Sequence, residues 1–283
     1  MDNRRQVVHL AVLQPDLKPR AATRNMIQLR ETIEGLVAEE PLDLVVLPET
    51  FDGWHAPPPD ADRSSEARQF LRNVARACRV NIVGGSVDRP VPGDRSRNTC
   101  LIVDRSGEEA GHYDKRVLFS QETERRSPGE HSGIFEVDGM RIGVLICADL
   151  WRPELARELV GSVDLLCVPA KSAVLSDRHT AYARTLWENL ALTRALENGL
   201  VVAVSDWAAG RHEEVFLADG HETRRTFFTC GGSSVCDPGH RPNIELIQRR
   251  PVTDSGLVRV TVDLGALAEY RKYRRAVGLL PSD

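Results

Sequence analysis

A chain of 283 residues, with 41% hydrophobic and 28% charged residues, has the composition of an ordinary folded globular protein, large enough for one extensive core. Its net charge of −4 points away from nucleic acid or an anionic membrane surface as the main partner. No apolar run is long enough to cross a bilayer, and the opening Met1-Asp2-Asn3-Arg4-Arg5 lacks the character of a secretory signal, so a cytoplasmic protein is expected.

The first strand reads Val7 to Leu13 and ends at Gln14-Pro15; a helix follows over Ala22 to Glu39, with Met26, Leu29, Ile33, Leu36 and Val37 on one face. Asp43 to Pro48 is short and continuously apolar, the pattern of a strand buried on both faces, and Glu49 stands at its carboxyl end. Gly53 to Asp62, with Pro57-Pro58-Pro59, reads as a stiff loop, and Ser64 or Ser65 can cap a helix whose apolar face is Ala67, Phe70, Leu71, Val74 and Cys78. Strands are expected at Asn81 to Val87 and Asn98 to Asp104, and a hairpin joins Ile134 to Val137 with Met140 to Ile146 around Asp138-Gly139.

Beyond Cys147 come a short helix from Pro153 to Val160, a buried strand from Val163 to Pro169, and a long helix from Thr180 to Asn198 with Gly199 as its natural C-terminal residue. Strands at Leu200 to Ser205, Gly231 to Cys236 and Leu257 to Asp263 complete this half. The polar stretch 208–229 reads as a solvated excursion, with a pocket rim or partner surface as the alternative. The order strand, helix, strand, helix, strand, strand thus occurs twice, and one domain over residues 1–283 is expected, with helices covering mixed sheets. Chemistry in such folds collects at the carboxyl ends of strands, where Glu49, Cys147 and Lys171 all fall.

Cys147 is one of six cysteines, at 78, 100, 147, 167, 230 and 236, whose spacing suggests neither a disulfide framework nor a zinc site. No histidine pair has metal-ligand spacing, so neither a metal nor another cofactor is expected. A thiol at the end of a buried strand is a nucleophile or an inert core residue. Glu49, costly to bury alone, needs a partner or caps the following turn. Lysine occurs only at 18, 115, 171 and 272 in a chain otherwise supplied with arginine, which favours a role for a compact ammonium at Lys115 and Lys171. Together, a thiol, a carboxylate base, an ammonium and a second carboxylate (Glu122 or Glu124) provide a nucleophile, proton transfer and oxyanion stabilisation without histidine.

The segments Leu44 to Thr50 (L-V-V-L-P-E-T), Tyr113 to Leu118 (Y-D-K-R-V-L) and Gly143 to Asp149 (G-V-L-I-C-A-D), with Pro153-Glu154 after them, resemble in order the signature blocks of the nitrilase, or carbon–nitrogen hydrolase, superfamily. The resemblance implies an α/β fold, a four-layer α-β-β-α sandwich with two similar halves. It implies Glu49 as general base, Lys115 as oxyanion-stabilising cation, Cys147 as nucleophile, Glu122 rather than Glu124 as the second glutamate, and the Ala148 backbone N–H as an oxyanion donor. It also implies a homo-oligomer.

Ala148, Leu150, Trp151 and Arg152 depart from the commonest family pattern, so Trp151 is expected to touch substrate, and Lys171 to bind an anionic group of it. The expected activity is hydrolysis of a small linear amide or N-carbamoyl compound through a thioester, with release of ammonia. Alternatives are a glutaminase or acyltransferase, and a catalytically silent binding protein on the same fold.

Overall fold

The computed structural model describes residues 5–53, 61–120, 122–218, 221–239, 247–249 and 255–280. Strand β1 (Val7–Gln14) leads through helix α1 (Ala22–Glu39) to β2 (Leu44–Val46), and α2 (Ala61–Cys78) leads to β3 (Asn81–Val83). Next come β4 (Val87–Arg89), β5 (Arg97–Val103), β6 (Glu109–Asp114) and the one-turn α3 (Glu122–Arg125). A hairpin of β7 (Ile134–Val137) and β8 (Met140–Val144) precedes α4 (Pro153–Arg157), β9 (Leu165–Pro169), β10 (Ala173–Val174), α5 (Thr180–Asn198) and β11 (Val201–Ser205). The chain continues through β12 (Gly210–Ala218), β13 (His221–Thr229), β14 (Ser234–Cys236), β15 (Ile247–Arg249), β16 (Gly256–Asp263) and α6 (Leu264–Ala276).

Two sheets repeat one plan. In the first, β1, β2 and β3 run parallel, flanked by antiparallel β16 on one side and β5 on the other. In the second, β8, β9 and β11 run parallel, flanked by antiparallel β7 and β14. Parallel neighbours need crossover connections, which α1, α2, α4 and α5 supply. β2 and β9 are thereby counterparts, and so are β1 and β8.

Side-chain alternation explains the layering. Val8, Leu10, Val12, Leu44 and Val46 join Ile142 and Val144 in a core between the sheets, whereas Ala11, Leu13, Val45 and Leu47 pack under Leu29, Ile33, Phe70 and Leu71 of α1 and α2. On the far side Leu155, Trp187, Ala191 and Ala195 of α4 and α5 cover the second sheet. The fold is therefore a four-layer α-β-β-α sandwich with two similar halves.

Several boundaries differ from the sequence expectation. The expected strand over Asn81 to Val87 divides because Gly84 and Gly85 separate β3 from β4, with Gly85 at φ 59. Helix α2 starts at Ala61, which puts Ser64 and Ser65 inside it rather than at its cap, and Pro57 to Pro59 lie outside the described residues. The α4 helix stops at Arg157, and β6 and α6 have no counterpart in the sequence reading. Helix α6 does carry a local start signal, since the Asp263 carboxylate accepts the Ala266 N–H at 3.0 Å. The largest correction concerns 208–229: β12 and β13 pair along their whole length, and β10 adds a third strand to this ribbon. Its pattern H-E-E-V-F-L against T-R-R-T-F-F mixes charge and aromatics because one face lines a cavity, so the solvated-excursion reading fails there.

Candidate active site

A cavity of about 430 Å³ opens at the carboxyl ends of the central strands, and Glu49, Lys115, Glu122, Cys147 and Lys171 all line it. Glu49 reaches it because β2 is held to its neighbours beyond its end: the Leu47 N–H donates to Val83 O (3.0 Å) and the Glu49 N–H to Ala170 O (3.2 Å). The carboxylate is only 6% exposed, and its Oε1 accepts from Lys115 Nζ at 2.8 Å and Asn98 Nδ2 at 2.9 Å.

Lys115 follows β6 and is clamped by its own backbone, its N–H donating to Asn98 O (2.9 Å) and its carbonyl accepting from Gly129 N–H (2.8 Å). Its ammonium is 2% exposed and also donates to Glu122 Oε2 at 2.7 Å. Burial alone would lower its pKa, but the adjacent Glu49 and Glu122 carboxylates prevail and raise it, so Lys115 stays an ammonium. Glu122, first residue of α3, accepts in addition from Arg126 Nη1 and from the Phe119 N–H at 2.9 Å. Burial would raise its pKa, yet the charges of Lys115 and Arg126 bring it down to about 2. Glu124, the other candidate second glutamate, is exposed on α3.

Asn98 was not singled out by the sequence. Its Nδ2 spans the two glutamates, at 2.9 Å from Glu49 Oε1 and 3.0 Å from Glu122 Oε1. The available signal was a polar residue opening an otherwise apolar strand, Asn98-Thr99-Cys100-Leu101-Ile102-Val103.

Cys147 turns the chain out of the second sheet at φ 48 and starts a single 3₁₀ turn, Cys147–Trp151. A left-handed backbone at a non-glycine residue is strained and persists only where its surroundings over-determine it. Asp149 provides that constraint. Its Oδ2 accepts the Ile146 N–H (2.9 Å) and the Tyr113 hydroxyl (2.9 Å), while Oδ1 accepts the N–H groups of Arg116 (3.1 Å) and Val117 (2.6 Å). One fully buried carboxylate thus ties the residue before Cys147 to the residues on either side of Lys115. Burial pushes Asp149 up to about 6, although the Ile146, Val117 and Tyr113 donors and the Lys115 charge pull the other way.

The Glu49 carboxylate and the Lys171 backbone N–H stand beside the Cys147 thiol and act on it. Burial and then the Glu49 charge push its pKa well up, against the opposing pull of Lys115. The resting pair is therefore a neutral thiol beside an acceptor carboxylate. The Ala148 N–H follows within the first turn, where helical N–H groups lack intrahelical partners.

Lys171 follows β9 as Glu49 follows β2. Its ammonium lies 4.4 Å from the Trp207 ring centroid and 4.7 Å from that of Phe227. Burial lowers its pKa to about 8, partly offset by Glu214 and Glu49. Buried Asp206 fixes this corner by accepting the Ser172 N–H (2.9 Å), the Trp207 N–H (2.9 Å) and the Gly232 N–H (2.8 Å). Trp207 Nε1 in turn donates to Glu49 O at 2.8 Å, linking the two halves. Trp151 does not join the cavity: it is 48% exposed at the end of the 3₁₀ turn, whose geometry aims it at solvent.

The family model for carbon-nitrogen hydrolases matches residues 9–272. The chain belongs to the carbon-nitrogen hydrolase family. It is 29% identical over 237 residues to the 2-oxoglutaramate amidase of Bacillus subtilis, an alignment covering 81% of this chain and 82% of that protein. The omega-amidase NIT2 of Homo sapiens is 27% identical over 244 residues, covering 81% and 79%. Among solved structures, a mutant of the amidase from Nesterenkonia sp. AN1 superposes with a TM-score of 0.72 at 23% identity over 95% of this chain and 94% of the other, a likeness of fold. The protein is a nitrilase-superfamily hydrolase acting on carbon–nitrogen bonds of non-peptide amides. Among the described residues no cluster of three or more His, Cys, Asp or Glu is placed to hold a metal ion, and no helix is long and apolar enough to cross a membrane.

Proposed function

We propose that the protein hydrolyses a small linear amide whose far end carries a carboxylate, through a thioester on Cys147, in the manner of an omega-amidase. The observation that carries this reading is that the Cys147 thiol, the Glu49 carboxylate and the Lys115 ammonium line one cavity, with Lys115 Nζ 2.8 Å from Glu49 and 2.7 Å from Glu122. The names of the B. subtilis and human relatives support the substrate class, as does Lys171 in the cavity lining. The Nesterenkonia mutant carries the acetamide moiety of fluoroacetamide covalently added at its active site cysteine, which is consistent with a thiol nucleophile on this fold.

In this mechanism Glu49 takes the thiol proton as sulfur attacks the amide carbon. The oxyanion that forms is stabilised by the Lys115 ammonium and the Ala148 N–H. Glu49 then delivers its proton to the departing nitrogen, ammonia leaves, and a thioester remains. Water, deprotonated by Glu49, attacks the thioester; the carboxylic acid leaves and Cys147 regains its proton. Because the thiol is raised, proton transfer accompanies attack rather than preceding it. Glu122 keeps Lys115 charged and oriented.

Ammonia release from succinamate tests the reading. Glu49→Gln and Lys115→Met should each lower kcat by roughly 10²-fold or more, the scale of losing a general base or an oxyanion donor. Full activity in either variant would contradict it. The same reading takes the enzyme as a cytoplasmic homo-oligomer, which sedimentation at working concentration checks.

A further inference from the structure

Glu49 and Glu122 share two donors. Lys115 Nζ stands 2.8 Å from Glu49 and 2.7 Å from Glu122, and Asn98 Nδ2 lies 2.9 Å and 3.0 Å from the same carboxylates. Arg126 is what sets the two apart. It follows α3 with a fixed backbone, its N–H donating to Glu122 O at 2.8 Å and its main chain bridging to Ser96. Its side chain lines the cavity yet is only 8% exposed, and Nη1 donates to Glu122 Oε1. Nε donates at 3.2 Å to Oδ1 of Asp88, which on β4 pairs in register with Asn98 on β5.

Glu122 therefore receives Asn98 and Arg126 on Oε1, and Lys115 and the Phe119 N–H on Oε2. A carboxylate offers about four acceptor positions, so these donors fill it. On Glu49, Lys115 and Asn98 both donate to Oε1.

We propose that Arg126 is a positioning residue that separates the roles of the two glutamates: by occupying Glu122 it confines that carboxylate to orienting Lys115, and it leaves Glu49 as the one carboxylate that carries protons during turnover. The inference rests on the amidase reading above and adds to it the residue that assigns proton transfer.

The reason is electrostatic. Two neighbouring carboxylates ordinarily drive one of the pair to take a proton, and a second cation decides which one stays ionised. Burial would raise Glu122, but Lys115 and then Arg126 bring it down to about 2. Lys115 and Arg126 face Glu122 directly, Glu49 and Asp88 stand beyond them, and Arg125 lies beside it in the cavity lining. Arg126 thus has two carboxylates of its own, and Asp88 holds the guanidinium so that Nη1 meets Glu122. Acids whose surroundings push their proton affinities apart take different parts in proton transfer.

The test is the pH dependence of kcat/KM for succinamate in the purified full-length enzyme, with circular dichroism checking the fold at each pH. Arg126→Gln should move the acid limb about one pH unit higher, because Glu122 then takes a proton in mild acid and Lys115 loses that counter-charge. Arg126→Lys keeps the charge and should reverse most of this displacement. The double variant Asp88→Asn/Arg126→Gln removes the carboxylate that the single variant leaves without its cation, and it should show the same displaced limb. An acid limb unmoved in the two glutamine variants, or a displacement that Arg126→Lys leaves in full, would overturn the inference. Loss of folding in both glutamine variants would assign Arg126 to stability and overturn it likewise. Failure of the underlying amidase reading looks different: the parent enzyme would release no ammonia from succinamate at any pH.

Discussion

Lys171 carries its ammonium between two aromatic rings, and burial holds its pKa at about 8. An ordinary lysine in the unfolded chain titrates near 10.4 (roughly). Between these values the unfolded chain holds a proton that the folded chain lacks, so stability rises with pH across this window. Binding moves the other way. KM for succinamate should climb as pH passes about 8 and the ammonium is lost, whereas Lys171→Met should have a high KM with no such inflection; a parent profile flat from neutral pH upward would refute this role. Asp149 acts on the chemistry through position. In Asp149→Asn, an amide NH₂ replaces one oxygen that receives backbone N–H groups from Ile146 or from Arg116 and Val117. A fall in kcat of roughly 10- to 100-fold is expected from misplacing Cys147 relative to Lys115, with KM changed far less. Tyr113→Phe, which removes one donor of four, should be milder, and equal loss in kcat and affinity for Asp149→Asn would point to general disruption instead. Cys147, Glu49 and Lys115 were legible because each ends a strand or follows a strand-like block with the residue type the chemistry needs. Asn98 and Asp149 were not, because their importance lies in several hydrogen bonds made at once across distant segments.

The elements that matter most are the corners after parallel strands. Gly85 turns the chain between β3 and β4 at φ 59, and a Cβ there would stand 2.2 Å from Pro48 O, next to Glu49. Gly85→Ala should therefore cost about 1–3 kcal/mol in backbone strain, seen as a Tm lower by several degrees. It should also lower kcat, because relief of the clash moves the Pro48-Glu49 corner; an unchanged Tm would show that the corner yields freely. The Asp138-Gly139 turn was readable in advance, since a two-residue hairpin loop with both residues at positive φ, here 54 and 74, favours that pair. The β12–β13 ribbon was not. Its strands carry charged residues on the face that meets the cavity, so the hydrophobic alternation that marks a strand on a core is absent, and Glu214 and Arg225 read like a solvated surface. Trp151 misled in the opposite sense: proximity to Cys147 in sequence did not bring it to the cavity, because the intervening 3₁₀ turn carries it outward.

Across the whole molecule, the halves share one core between the sheets, and the site takes Glu49, Lys115 and Glu122 from the first and Cys147, Lys171 and the ribbon from the second. The duplicated order of elements makes this plan legible in the sequence, while the face-to-face packing of the sheets depends on long-range pairings such as β1 with β16 that local pattern does not encode. Trp207 shows the coupling: it belongs to the second half, packs fully buried in the core under α1 and α2, and donates to Glu49 O. Trp207→Phe should lose about 1–3 kcal/mol through the lost hydrogen bond to Glu49 O, which keeps the Thr50 hydroxyl as its donor, and through lost contact. Its urea transition should move to lower concentration yet remain single and coincident by fluorescence and circular dichroism; a split transition would mean that the halves unfold separately. Acylation of Cys147 by an amide can be read directly from intact-mass measurement of the enzyme quenched in acid during turnover of succinamate. One succinyl adduct is expected, mapped to Cys147 and absent from Cys147→Ala, which keeps its fold but releases no ammonia. An adduct on another residue, or ammonia release by Cys147→Ala, would contradict it.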